Sequence, residues 1–358
     1  MDILIVGAGP TGLTAAVELA RMGCVPNVID KRQEPSGLSR AVGITPASLR
    51  LLAPSGVTEK LLQAGPALKG ICGYFNDQFL LTLDFSAHAK YLSSYDYQTP
   101  LHCLPQDQTE AILTEQFMEF GGQVQYGTEF QALQQINNKV IVNTSANEAH
   151  YDHVIGADGI GSQVRNQLGL EFPGFDVTEP WSIADVDTTD WPHTREFTAF
   201  LMSSGHVCVA APIGKNRLRL VSSTEDAIKN LPIPINISHV HRNSTFTVSV
   251  RQAERFTVGQ VYLAGDAAHC HSPVGGRGMN LGIADAAQIA NCIINSNCDN
   301  YHHLRHAAAA DTINMTERGR NLLTSNSPVS RWIKPTALKL VNRSSFIKRK
   351  MIISVLEE

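Results

Sequence analysis

The chain has 358 residues, 43% of them hydrophobic and 17% charged, a globular composition long enough for two domains. A net charge of −4 argues against a nucleic-acid partner, and no uninterrupted apolar run approaches the ~20 residues that span a bilayer. The seven cysteines are scattered without CxxC spacing, which predicts free thiols in a reducing cytoplasm rather than a disulfide framework or a zinc site. The first residues lack the basic region of a secretory leader, and their apolar run belongs to a first strand.

That run, Ile3-Leu4-Ile5-Val6, suits a buried parallel strand. Gly7-Ala8-Gly9-Pro10-Thr11-Gly12 follows, then a helical run from Leu13 to Ala20, then a second apolar run from Val25 to Ile29 that ends at Asp30. Strand, glycine turn, helix, strand and acid form the dinucleotide-binding fingerprint in its required context. Gly7 turns the chain off the strand, Gly9 leaves the backbone bare for a pyrophosphate, and Gly12 lets the helix pack on the sheet. The free N–H groups and positive end of the helix face the phosphates. Asp30 stands where a carboxylate accepts hydrogen bonds from an adenosine ribose. The motif alone does not separate FAD from NAD.

Further along, Pro46 to Leu52 reads as a helix with proline in its first turn. Phe75, Phe79, Leu81, Leu83 and Phe85 alternate in the manner of antiparallel strands. Gln106 to Gly121 is helical and stops at a glycine pair. Val124 to Tyr126, Phe130 to Leu133 and Lys139 to Thr144 read as short strands of a meander, and His153 to Gly159 as a strand running into a turn. Residues 177 to 249 are strand-rich; Val261 to Ala264 is another buried strand, and Gly282 to Ile294 an alanine-rich helix.

Two more segments bear on the ligand. One is Gly156-Ala157-Asp158-Gly159, continuing to Arg165. The other is Gly265-Asp266-Ala267-Ala268-His269, continuing through Pro273-Val274-Gly275-Gly276-Arg277-Gly278-Met279-Asn280 to Asp285. With the opening fingerprint, these resemble the FAD-dependent aromatic hydroxylases, the para-hydroxybenzoate hydroxylase-like class A flavoprotein monooxygenases. The resemblance runs from residue 1 to about 295 and is thin in the β-rich segments.

The resemblance implies an α/β fold. A Rossmann-like FAD-binding domain of the GR2 type carries an inserted, mostly antiparallel β substrate domain and a C-terminal helical tail. The expected division is 1–69, 102–175 and 256–295 for FAD, 70–101 and 176–255 for substrate, and 296–358 for the tail. The cofactor-binding set it implies is Gly7, Gly9, Thr11, Gly12, Asp30, Arg40, Gln108, Asp158, Gly265, Asp266, Gly278, Met279 and Asn280. Within that set, Asp266 would bind the ribityl chain, Arg40 the FAD phosphates and Gln108 the ribityl or phosphate groups, with Gln106 competing for the last place. Arg165 is open to a pyrophosphate pairing or a plain surface role. Pro273, Gly276 and Met279 would lie near the flavin ring, where the helix N-terminus stabilises the reduced anion. Arg277 departs from the neutral polar residue expected there.

The chemistry implied is a monooxygenation: NADPH or NADH reduces the flavin, O2 forms a C4a-hydroperoxide, and an aromatic, polyketide-like or otherwise hydrophobic small molecule takes one oxygen. A reductase or dehydrogenase acting on an isoprenoid or quinone, and a non-catalytic FAD-binding protein, stay open as alternatives. No second GxGxxG marks a separate nicotinamide site. His269 and His271 bracket Cys270 without a third ligand at zinc spacing, so no metal is expected and His269 reads as structural. Tyr74, His102, Phe200 and His206 are candidates for the substrate pocket. Between Arg318 and Leu356 stand nine Lys or Arg and no Asp or Glu, interleaved with apolar residues. That pattern suits a helix packed on the body with a solvated basic face, the reading we favour, or a weak contact with a membrane surface.

Overall fold

The opening apolar run becomes the middle of a sheet. The computed structural model describes residues 1–37, 41–86 and 101–356. Ile3–Val6 pairs in parallel with Asn27–Asp30 on one side and His153–Gly156 on the other. Val124–Tyr126 and Val261–Leu263 extend the sheet in parallel, and Thr257–Val258 closes one edge antiparallel. All four side chains of Ile3–Val6 are at most 5% exposed, as a strand covered on both faces requires. Burial of each stabilises the fold by roughly 1.5–3 kcal/mol.

The helices among the described residues are α1 (Pro10–Arg21), α2 (Pro46–Leu52), α3 (Val57–Ala64), α4 (Gln106–Glu119), α5 (Gln163–Gln167), α6 (Gly278–Ile294), α7 (Tyr301–Thr324), α8 (Pro328–Arg343) and α9 (Ser345–Leu356). Helix α1 packs against α4 and α6, and all three contribute to one core with the parallel sheet. Residues Phe130–Ile136, Lys139–Thr144 and Glu148–Tyr151 form a separate three-stranded antiparallel meander.

A second large sheet has seven strands, in the order Ile237–Phe246, Trp181–Thr188, Arg217–Ser222, Val207–Gly214, Glu196–Leu201, Gly70–Phe75 and Gln78–Asp84. All its pairings are antiparallel except that between Glu196–Leu201 and Gly70–Phe75. Side chains on successive residues point to opposite faces. One face carries Tyr74, Phe200, Leu218 and Leu220 and is covered by Trp191 and residues 227–237. The opposite face carries Ile71, Phe197, Ala211 and Ile213, which pack with Leu101 and Cys103 and with Ile352 and Leu356 of α9. The tail therefore folds back over the inner face of this sheet.

Several expectations shift. The second strand starts at Asn27, because Val25 is half exposed in the preceding turn. Helix α6 starts at Gly278 rather than Gly282, so the glycine loop feeds directly into its first turn. Val124–Tyr126 leaves the meander and joins the parallel sheet beside Asn27–Asp30. In the tail, Lys334 is no solvated cation. Its Nζ donates to the carbonyls of Leu323 and Ser325 at 2.6 Å each, where α7 ends and unpaired carbonyls gather.

Candidate active site

The three glycine-and-aspartate turns converge, and the contacts between them are made through missing side chains. Gly7 has φ of +106°, and a Cβ there would lie 2.4 Å from the Ala157 carbonyl oxygen, so the first and second turns touch backbone to backbone. A Cβ on Gly265 or on Gly282 would lie 2.5 or 2.3 Å from Thr11 Oγ1. Thr11 thus sits between the third turn and α6 and packs the first turn against the third. Gly12 packs on Gly7, where a Cβ would stand 1.9 Å from the carbonyl oxygen. Gly9 behaves differently: a Cβ there would meet nothing within 4 Å. Its bare backbone serves no neighbour inside the protein and leaves a cradle in front of α1. The α1 N-terminus has Gly9 as its cap residue and no side-chain cap.

Asp30 is mostly committed within the chain. Its carboxylate accepts from Ala8 N at 2.8 Å, from Arg32 N at 2.9 Å, and from the Arg32 guanidinium at 2.9–3.0 Å. Burial alone would raise its pKa, but Arg32 and the two backbone N–H groups outweigh burial and hold it below the usual range. These four bonds fill the carboxylate's accepting positions, so a ribose engages Asp30 only where Arg32 gives way.

In the second turn, Asp158 Oδ2 accepts from Gln163 N at 2.7 Å and Val164 N at 3.2 Å, capping α5. Its Oδ1 is buried without a protein partner, and burial pushes the carboxyl's pKa up. Arg165 is not available to a pyrophosphate. It is 5% exposed, donates to the carbonyls of Ala267 (2.9 Å) and Ile160 (2.8 Å), and stacks on Phe172 at 3.8 Å. It ties the second turn to the third.

The third turn rests on a buried ionic group that sequence reading missed. Asp285, fully buried in α6, accepts from Gly265 N at 3.0 Å, His269 Nε2 at 2.6 Å and Arg305 Nε at 2.6 Å. His269 is accordingly structural, as expected. Asp266, beside this anchored glycine, keeps an exposed side chain on the 3-10 turn Gly265–Ala267. The only prior signal for the group was an acid inside an alanine-rich helix.

The loop before α6 is built for close approach. Gly275 and Gly276 have φ of +89° and +64°, and a Cβ on Gly276 would meet nothing within 4 Å. Gly278 opens α6 and Met279 is buried beneath it. Asn280 is a clasp: its Nδ2 donates to Gly43 O and Gly276 O, and its Oδ1 accepts from Thr45 N and Ser48 Oγ. With its side chain spent on protein, only its backbone is left for a cofactor. Pro273 leads into Val274, which packs with Ile313 and Leu323 of α7. On the other side, the Arg277 guanidinium donates to Ser354 O of α9 at 2.7 Å. The departure at Arg277 therefore anchors the tail. His271 Nε2 is buried here without a partner, and desolvation lowers that ring's pKa.

Arg40 lies outside the described residues. Gln106 bonds Ala41 N and Glu110, whereas Gln108 is exposed on the first turn of α4. Gln108 borders a cavity of about 260 Å³ together with Gly37, Asp185, Arg217, Arg219 and His241.

The substrate-pocket candidates fall in different places. Tyr74 and Phe200 lie on the outer face of the seven-stranded sheet, where Tyr74 Oη meets His193 Nε2 at 2.6 Å and both rings pack with their neighbours. His102 is buried near Gly65 under α3, and His206 holds Ser223 O at 3.1 Å. The inner face presents Ile71, Phe197, Ala199, Leu201, Val209 and Val221, all partly exposed. Alternation shows which residues share a face, but not which face looks toward the glycine loops.

Bare glycines at Gly9 and Gly276, Asp158 Oδ1 and His271 Nε2 without partners among the described residues, and the uncapped α1 terminus are features that would suit a bound dinucleotide. Comparison with known proteins agrees. The family model described as FAD binding domain matches residues 1–241 and 224–316. A rifampicin monooxygenase of Streptomyces venezuelae is 30% identical over 95% of this chain and 75% of its own length. A 12-dehydrotetracycline 5-monooxygenase/anhydrotetracycline 6-monooxygenase of Streptomyces rimosus is 31% identical over 80% of this chain, which spans only 61% of that relative. The crystal structure of p-nitrophenol 4-monooxygenase from Pseudomonas putida superposes with a TM-score of 0.88, covering 98% of this chain and 96% of that one at 20% identity. At that identity the superposition speaks for the fold.

Proposed function

This chain belongs to the FAD-binding-domain family of flavin-dependent monooxygenases, and from that premise we propose that it hydroxylates an aromatic or polyketide-like small molecule with O2 and NAD(P)H. The observation that carries the reading is the close meeting of the three turns beside the uncapped N-terminus of α1. Relatives named for rifampicin and anhydrotetracycline support a large, apolar, aromatic substrate class.

When bound, FAD supplies the reductive activation of dioxygen and the transfer of one oxygen atom. The chain's residues supply the rest. Gly9 and the α1 N-terminus hold the pyrophosphate, Asp266 the ribityl chain, and Gly276 and Gly278 let backbone approach the ring. Residues 1–69, 102–175 and 256–295 form the cofactor-holding part, and 70–101 with 176–255 the substrate-holding part. Ala199, Val209 and Val221 offer small apolar contacts, and Phe197 a ring to stack on. Val274 beneath α7 and Arg277 beneath α9 close the loop's flanks and exclude water, which protects a reactive oxygen species. The reductant would bind transiently, since no second GxGxxG offers it a site of its own. Seven free cysteines support a reducing compartment.

The test is purification, a visible spectrum, and oxygen uptake with NADH and NADPH against phenols and polycyclic aromatic polyketides. Substrate-dependent oxygen uptake, with a product heavier by one oxygen, supports the reading. Anaerobic turnover with no oxygen in the product sinks it in favour of a dehydrogenase.

A further inference from the structure

Helix α8 is apolar on two sides, and only one of them has a partner among the described residues. Leu338 and Val341 pack into the cluster beneath the seven-stranded sheet, and Asn342 Oδ1 accepts from Thr82 N at 3.3 Å, which fixes the helix's rotation. On the outward side, Val329, Trp332, Ile333 and Leu340 are 65%, 72%, 48% and 58% exposed. Their spacing places them on one stripe of the helix. Lys339 and Arg343 are exposed along its margin. After Ser344 comes Phe346, 65% exposed, with Lys350 Nζ 4.8 Å above its ring.

Charge decides between the occupants. The segment from Arg318 to Leu356 holds nine of the chain's 29 Lys and Arg and none of its 33 Asp and Glu. A two-fold dimer through this stripe would set two basic margins face to face. Lysine is also depleted in the cores of protein interfaces. An anionic bilayer surface complements both parts: headgroups meet the cations, and the acyl boundary receives Trp332, Ile333 and Leu340. Lys and Arg stems lie along apolar surface while their charges reach outward. No described helix is long and apolar enough to cross a membrane, so the contact is one of lying on the surface.

We propose that α8 and the first turn of α9 dock on an anionic phospholipid surface. Helices α8 and α9 also line the inner sheet face. The docked side of the protein is therefore the side where the tail walls the substrate space, and an apolar substrate partitioned into lipid would lie near its entrance. The docking itself does not depend on the monooxygenase reading, since it is measured without turnover.

The intrinsic probe is Trp332. Trp181 and Trp191 are 3% and 6% exposed, so a vesicle-induced change in tryptophan emission reports Trp332. Full-length, FAD-loaded protein is mixed with vesicles of phosphatidylcholine alone or with phosphatidylglycerol added. The expected result is co-sedimentation at least about tenfold stronger with the anionic vesicles and weakened by salt, with a blue shift and quenching by brominated lipid. Two variants with unchanged melting temperature separate the components. Trp332→Ser with Leu340→Ser lowers partitioning to both vesicle types, whereas Lys339→Glu with Arg343→Glu abolishes the anionic preference. Absence of sedimentation with either vesicle overturns the proposal, as does sedimentation unchanged in both variants. A concentration-dependent dimer that shields Trp332 without lipid overturns it in favour of self-association.

Discussion

The Arg277 guanidinium donates to the carbonyl oxygen of Ser354 at 2.7 Å, tying the glycine loop before α6 to the last helix. A residue in the glycine loop is thus tied to a helix that packs on the inner face of the seven-stranded sheet. Arg277→Ala removes this tie at a partly exposed position, at a cost of about 1 kcal/mol. The sharper readout is amide exchange across residues 345–356, which should quicken while the parallel sheet keeps its protection. Unchanged exchange in α9 would show that Ile352 and Leu356 alone hold it.

Asp285 should dominate the acid limb of stability. Burial acts to raise its pKa, yet His269, Arg305 and Gly265 N together leave it lowered. A lowered folded pKa contributes stability above the unfolded value of about 3.9, and that stability is lost as pH falls through the folded value. Asp285→Asn leaves the Arg305 guanidinium without its carboxylate in a buried site and should cost about 3–5 kcal/mol at neutral pH. Urea denaturation as a function of pH checks both points. The variant should show a shallower decline below about pH 4 than the parent chain. Parallel curves would assign the acid sensitivity elsewhere.

Two glycines of the first turn should respond in opposite ways. Gly12→Ala places a methyl 1.9 Å from the Gly7 carbonyl oxygen, so the cofactor-free protein should lose about 1–3 kcal/mol. Gly9→Ala meets no protein atom within 4 Å, and its φ of −81° suits alanine. The cofactor-free melt should then match the parent, while FAD affinity falls at least about tenfold. Melting curves with and without FAD distinguish the two. If both variants lose only apo stability, the cradle in front of α1 holds no pyrophosphate.

The faces of the seven-stranded sheet make a third pair. Ala199→Phe intrudes on the inner face and should raise KM for substrate at least about tenfold with FAD affinity unchanged. Phe200→Leu loosens the outer aromatic cluster of Tyr74 and Trp191 and should cost about 1.5 kcal/mol of stability with KM unchanged. Steady-state kinetics beside thermal melts decide. A KM effect from Phe200→Leu would move the substrate to the other face.

What the amino-acid order by itself determined was local and periodic. Ile3–Val6, the glycines after it, the start of α2 at Pro46 and the two later Gly-Asp turns are set by propensity, turn chemistry and spacing, and each stands where those rules place it. Their meeting on a dinucleotide was legible because three motifs in order are rarely assembled for another ligand. Only the tertiary structure decided how side chains were spent. Asn280 became a clasp, Arg165 a tie between turns and Arg277 an anchor for α9, because each guanidinium or amide bonds whatever carbonyl the fold brings within 3 Å or so. The same holds for Asp285, whose partners His269 and Arg305 arrive from a turn and from another helix. Strand alternation showed that Ala199 and Phe200 point to opposite faces, but the choice of inner face waited on where the glycine loops and the tail packed. Long-range packing carries no signature in a short window of sequence, since it is the sum of contacts between residues far apart in the chain.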